Sequence, residues 1–363
     1  MRRRRLLLFA VLAATACDVP RAFSEVRERR QESDGRALKT IALNGAGATF
    51  PYPLYSKWMS EYNRINPRVR INYQSIGSGG GIRQALAGTV DFGATDVPMK
   101  EDEQRRANNR LLHIPTTLGS VVLSYNLPGA ARALRLNAEA LAAIFLGEVK
   151  RWDDPRLASL NPELSLPSRD IAVVFRTDGS GTTAIFSEYL ARHTPEFARR
   201  VGSGKSVRWP TGFGAKGNEG VTGQVKSTPF SIGYIELAYA VQNKLPTAEI
   251  QNRSGKFVAP SVDAATAAAD SVEMPDSLHV SLADAAGESA YPIASYTYLL
   301  VPEDVKDVEK GEWLARFLWW AVHDGQRYSQ DLDYARLPEK VVVRIESKLK
   351  SLRSGEKRLL EGV

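Results

Sequence analysis

Apolar positions along the chain follow two periods in turn. Ile41-Ala42-Leu43 is a short apolar run that gives way to Gly45-Ala46-Gly47-Ala48-Thr49-Phe50-Pro51. Tyr55, Trp58, Met59 and Tyr62 then recur at spacings of three and four, which predicts a helix. Val69, Ile71 and Tyr73 alternate with polar residues, as in a half-buried strand. After Gly77-Ser78-Gly79-Gly80-Gly81 a second helical stretch carries Ile82, Leu86 and Ala87, and Val90 to Ala94 predicts a strand ending at Thr95-Asp96. The device returns at Ile171 to Phe175, a continuous apolar run that suits a strand buried on both faces. It enters Arg176-Thr177-Asp178-Gly179-Ser180-Gly181-Thr182-Thr183 and a helix bearing Ile185, Phe186, Tyr189 and Leu190. Strands alternating with helices predict an α/β fold with mostly parallel sheets, whose ligands sit beyond the carboxyl ends of the strands. The Gly- and Ser-rich joints fall at those ends.

A length of 363 residues suggests two domains. With 43% hydrophobic and 25% charged residues the composition is that of a globular protein, not a disordered or collagenous one. No apolar run reaches the roughly 18 residues that a spanning helix needs. The net charge of +7 includes Arg2 to Arg5, which leaves only +3 for the rest, and no basic stripe is interleaved with aromatics, so nucleic acid is not an expected partner. The arginines precede an apolar stretch, Leu6 to Ala14, and then Thr15-Ala16-Cys17, which predicts a secretory signal over 1–16. Cys17 is the single cysteine, so no internal disulfide is possible. Its setting resembles the lipobox of bacterial lipoproteins, with Ala14 where leucine is usual. The expectation is lipid attachment at Cys17, against the alternative of an ordinary cleaved signal. Residues 17–40 are charged and mixed in sign, and read as a flexible spacer behind the anchored cysteine.

The three glycine-rich joints share one design: glycine, a hydroxyl residue, then a helix start. A helix N-terminus offers free N–H groups and the positive end of a dipole, and Arg176 adds a cation, so the convergent chemistry is oxyanion binding. The plainer reading of Ser or Thr at such a position is a helix cap, and Asp96 could likewise cap the helix that follows. Other chemistry fits less well. Asp178 to Thr182 lacks Gly-x-Ser-x-Gly spacing, and His113, His193, His279 and His323 stand apart in sequence. The chain has no His-Glu-x-x-His motif and no Gly-x-x-x-x-Gly-Lys-[Ser/Thr] loop, so neither a metal nor a cofactor is expected. Trp152-Asp153-Asp154 reads as a surface turn, and Trp313, Phe317 and Trp320 as a core stripe.

Read together, the stretches 45–51, 77–81, 91–96 and 176–182 resemble the signature of the phosphate-binding proteins of bacterial ABC-type phosphate uptake. Leu146 to Asp154, Gly214 to Gly220, Ile232-Gly233-Tyr234 and Asp331 to Tyr334 fit the same pattern, so the likeness runs from about 41 to about 345. Gly79 departs from it, standing where many relatives carry a serine. The resemblance implies a two-lobed periplasmic-binding-protein fold of type II, each lobe a mixed sheet flanked by helices. Lobe one would be 41–115 plus 292–363 and lobe two 116–291. It further implies a phosphate cage of Thr49, Phe50, Ser78, Asp96, Arg176, Ser180, Gly181 and Thr182, with Asp178 holding the Arg176 fork. The function implied is non-enzymatic: binding of inorganic phosphate in the periplasm or at the outer face of the inner membrane. Delivery would be to an ABC permease and its cytoplasmic ATPase. The alternatives are a binder of sulfate or molybdate, or a phosphate-ester hydrolase using Ser180.

Overall fold

In the computed structural model, residues 40–130 and 132–361 are described. The expected signal, Cys17 and the expected spacer up to residue 39 lie outside that range. Strand β1 (Ile41–Gly47) leads into helix α1 (Tyr52–Ile65), followed by β2 (Val69–Ser75), α2 (Ser78–Ala87), β3 (Phe92–Thr95) and the long β4 (Leu111–Tyr125). After it come β5 (Ala172–Arg176), α3 (Gly181–His193), β6 (Phe213–Ala215), α4 (Gly217–Ser227), β7 (Ser231–Glu236), β8 (Ile293–Pro302) and α5 (Val308–Val322). Shorter elements fill the connections.

The eight strands form one curled mixed sheet in the order β2-β1-β3-β8-β4-β7-β5-β6, with Leu282–Ala283 pairing at the side of β8. β1 runs parallel to β2 and β3, while β8 lies antiparallel to both β3 and β4. β4 joins the two ends of the sheet. Its residues 111–120 pair with β8, and Val121 to Tyr125 turn to pair with β7. β7 and β6 both flank β5 in parallel. Helices α1, α2 and α5 pack on the β1–β3 end, and α3 and α4 on the β5–β7 end.

All fifteen residues of β4 are buried. That strand contains Pro115 and Gly119, residues that ordinarily argue against a central strand. The register explains the proline. Pairing shifts between Thr297 and Tyr298, so Thr117 faces Thr297 and Pro115 faces Tyr298, with Thr116 as the extra residue of a β-bulge. A proline without an N–H is tolerated there. The freed Thr116 hydroxyl meets Tyr55 Oη at 2.6 Å and donates to Thr297 O.

The predicted periodicities place the core. Leu54, Tyr55, Trp58 and Tyr62 are the buried face of α1. Trp58 donates from Nε1 to Gly325 O at 2.7 Å, and Tyr62 packs its ring against Phe317 and Trp320 of α5. Of the expected tryptophan stripe, Phe317 and Trp320 are buried, whereas Trp313 is half-exposed beneath Arg316. At the other end Phe145, Phe186, Trp209 and Tyr234 form an aromatic cluster under α3. Trp152 is fully buried, Asp153 pairs with Arg151, and Asp154 caps Pro155–Leu160, so the Trp-Asp-Asp turn is structural.

Candidate anion-binding site

Four joints converge between the two ends of the sheet. Three of them leave the carboxyl ends of β1, β2 and β5, and the fourth leaves β3 at Asp96. Thr49, Phe50, Ser78, Asp96, Arg176, Ser180, Gly181 and Thr182 are all buried. Residues so far apart in sequence and so polar are seldom buried together without a shared partner.

Gly77 makes the second joint possible. Its φ of +85° suits glycine, and a Cβ there would collide with Asp178. Ser78 then donates from Oγ to Asp96 Oδ2 at 3.1 Å and accepts the Asp96 N–H at 3.2 Å. Gly181 comes from the opposite side and fits only because it lacks a side chain: a Cβ would strike Asp96 Oδ2 and Ser78 Oγ. Asp96 does not cap the following helix, Glu101–Arg105, whose N-cap is Lys100. Its second oxygen, Oδ1, accepts from Thr297 Oγ1 at 2.9 Å. Burial pushes the Asp96 carboxyl up to about 7, more than Thr297, Ser78 and Arg176 together pull it down.

Arg176 is held from both sides. Its Nε and Nη2 donate to the two oxygens of Asp178 at 2.8 and 2.6 Å, a fork matched to a carboxylate, and Nη1 reaches Thr182 Oγ1 at 3.3 Å. Asp178 also accepts the Gly217 N–H at 3.0 Å. Ser180 does cap α3, accepting the Thr183 N–H at 3.0 Å, but its own hydroxyl proton is not used in that bond. Among the described residues, no protein group accepts from the backbone N–H of Phe50, Ser78, Gly181 or Thr182. Buried N–H groups without an acceptor are rare, and four of them beside a guanidinium form a cradle for negative charge.

Two participants were not singled out from the sequence. Asn218, the second residue of α4, is fully buried; its Nδ2 donates to Thr49 Oγ1 at 2.8 Å and Thr182 Oγ1 at 3.2 Å, and its Oδ1 accepts the Glu236 N–H. The signal was present in Gly217-Asn218 after a strand. Thr297 lies on β8, where antiparallel pairing of Tyr298 with Thr95 of β3 sets it beside Asp96, and it carries no local signal at all. The histidines are engaged elsewhere: His113 accepts from Met99 N and meets His279 edge-on, His193 meets Asp284, and His323 meets Glu346. None of them bonds to Ser180 among the described residues.

A family model described as a PBP superfamily domain matches residues 30–324. The phosphate-binding protein PstS of Pasteurella multocida is 43% identical over 320 residues, covering 87% of this chain and 92% of the relative. PstS of Methanocaldococcus jannaschii is 39% identical, covering 86% of each chain. Among solved structures, a high-affinity periplasmic phosphate-binding protein bound with phosphate (PfluDING) aligns with a TM-score of 0.70 at 19% identity, over 85% of this chain and 93% of that one. A phosphate-binding protein from Stenotrophomonas maltophilia aligns with a TM-score of 0.66 at 20% identity, over 85% and 94%. At that level of identity the structures establish the fold, and the sequence relatives establish the lineage. The chain belongs to the PstS family of phosphate-binding proteins, within the PBP superfamily.

Proposed function

We propose that the protein binds inorganic phosphate between the two ends of its sheet and hands it to an ABC-type phosphate permease. The observation that carries this reading is the pairing of a buried carboxyl, Asp96, with Arg176 and unpaired N–H groups in one cradle. An anion site with only donors would suit any tetrahedral oxyanion. A site that also offers an acceptor suits one that carries a proton, which phosphate does near neutral pH and sulfate does not.

In this assignment Thr49 (hydroxyl), Phe50 (N–H), Ser78, Ser180, Gly181 and Thr182 donate to the phosphate oxygens. Arg176 supplies charge-assisted donors, Asp178 fixes its orientation, and Asp96 accepts the phosphate proton. The lobes follow the sequence division, 41–115 plus 292–363 and 116–291. The hydrolase alternative is not supported, because Ser180 has no base in contact. Titration calorimetry is the test: phosphate is expected to bind one to one and about 10⁴-fold more tightly than sulfate, on the order seen when a site hydrogen-bonds a group that the analogue lacks. Equal affinities, or tighter sulfate or molybdate, would reject the phosphate assignment.

Export and anchoring belong to the same proposal. Cys17 is assigned as the lipidated first residue of the mature chain, placing the protein outside the inner membrane with residues 18–39 as tether and the permease subunits with their ATPase as partners. Cys17→Ser is expected to move the protein from the membrane fraction to the soluble exported fraction with phosphate affinity unchanged. A wild-type protein already wholly soluble would overturn the anchor.

A further inference from the structure

The two sides of the cleft touch at points that hold no ligand, and one of these contacts is an ion pair. Lys205 Nζ lies 2.9 Å from both carboxylate oxygens of Glu103. Lys205 belongs to the segment between α3 and β6, Glu103 to the short helix Glu101–Arg105 that follows β3. The pair spans the cleft, and its side chains are only 16% and 23% exposed.

Both ends are rigidly mounted on the segments that carry candidate ligands. The Lys205 carbonyl accepts the Ser180 N–H at 2.7 Å, and its neighbour Gly204 donates to Ser187 Oγ of α3. On the other side, Glu103 accepts the Lys100 N–H at 2.9 Å. The stretch between Asp96 and Lys100 is itself tied down, with Thr95 Oγ1 donating to Val97 O and Met99 N donating to His113 Nε2. One further interlobe bond lies inside the pair: Gly79 N donates to Gly179 O at 2.8 Å, where a Cβ on either glycine would come within 3.1 Å of the other's Cα. The glycines set how closely the halves approach, and the ion pair lies across the same seam.

We propose that Lys205 and Glu103 form a latch that holds the cleft shut and sets how fast phosphate leaves. The proposal rests on the phosphate reading of the site. Neither side chain touches the cage, and substituting them leaves the Lys205 carbonyl that receives the Ser180 N–H in place, so the latch acts through the closed state alone. An ion pair made only on closure raises the closed population without altering the encounter of ligand with the open form, so it appears in the dissociation rate. Burial strengthens the pair beyond a solvent-exposed one, and its remaining exposure leaves it open to screening by salt.

The test is release of radiolabelled phosphate chased with unlabelled phosphate, on Lys205→Met, Glu103→Gln and the double variant. Each single variant is expected to release phosphate about three- to tenfold faster, with association no slower than in the wild type, since losing the latch can only raise the open fraction. The double variant is expected to be no faster than the singles, because both remove the same contact. Raising the salt concentration is expected to speed release from the wild type and not from the double variant. Unchanged dissociation, additive effects in the double variant, or a change confined to association would each overturn the latch. Solution scattering without ligand supplies a second reading, in which the double variant is expected to be more open than the wild type. If the wild type fails to bind phosphate, the ligand assignment falls and the scattering comparison alone decides the latch, with identical curves rejecting it.

Discussion

Replacing Arg176 by methionine is expected to weaken phosphate binding by about 10²–10³-fold, the usual effect of truncating one partner of a buried, hydrogen-bonded charge contact. The same change has a second consequence that must be separated from the first. Arg176 and Asp178 are 1% and 10% exposed at their side chains, so removing the guanidinium leaves a carboxylate with little water and backbone N–H groups such as that of Gly217 for partners. Breaking such a pair costs about 3–5 kcal/mol. Burial pushes the Asp178 carboxyl up, yet its bonds to Arg176 hold it below the ordinary aspartate range. Without Arg176 the burial effect prevails and the carboxyl rises, so the single variant should lose stability as pH rises through that new value and its charge must be buried. The double variant Arg176→Met with Asp178→Asn removes the stranded charge. Its thermal midpoint is expected to recover towards wild type while its phosphate affinity stays low. Recovery of affinity along with stability would mean that Arg176 is a structural residue and not a ligand.

The asymmetry between what could and could not be read from the sequence has a physical basis. The glycine-rich joints were legible because each is local: Gly77 needs a positive φ, Ser180 caps its own helix, and the strand before Arg176 is continuously apolar. Strand β4 was not legible. Pro115 and Gly119 interrupt its pattern, and the bulge that accommodates the proline exists only once β8 has arrived from far along the chain. The pairing of β8 with β3 sets Thr297 beside Asp96, so that contact could not be read before the strand order was known. Asn218 fell between these cases. Its place at the start of a helix was visible, whereas its bonds to Thr49 and Thr182 appear only when the two ends of the sheet meet. Asp96 itself could be located from its strand end, but its burial and its freedom from any capping role are tertiary facts.

Asp96→Asn is expected to change which anion the protein prefers and how that preference depends on pH. In the wild type both carboxylate oxygens already accept a hydroxyl, from Ser78 and Thr297, and each retains a lone pair for a proton on the ligand. Phosphate supplies that proton. Sulfate has none, so it can bind only when Asp96 carries the proton instead. Burial sets the carboxyl at about 7. Above that value every sulfate bound must bring a proton from solution, and sulfate affinity should fall about tenfold per pH unit. Below it the carboxyl is already neutral, and sulfate affinity should level off. Phosphate brings its own proton, so its affinity should be far less steep, and the preference for phosphate should widen with rising pH. An asparagine at 96 can donate from its amide at any pH. The phosphate-to-sulfate ratio of the variant is therefore expected to fall by on the order of 10²-fold above neutrality, with phosphate itself bound more weakly. Its sulfate affinity should lose the steep pH dependence. Competition titrations of both proteins between about pH 6 and pH 9 read all three effects against the linkage slope. If wild-type sulfate affinity is flat across that range, or if the variant keeps the wild-type ratio, Asp96 does not read the ligand's proton, and discrimination must come from elsewhere in the cage.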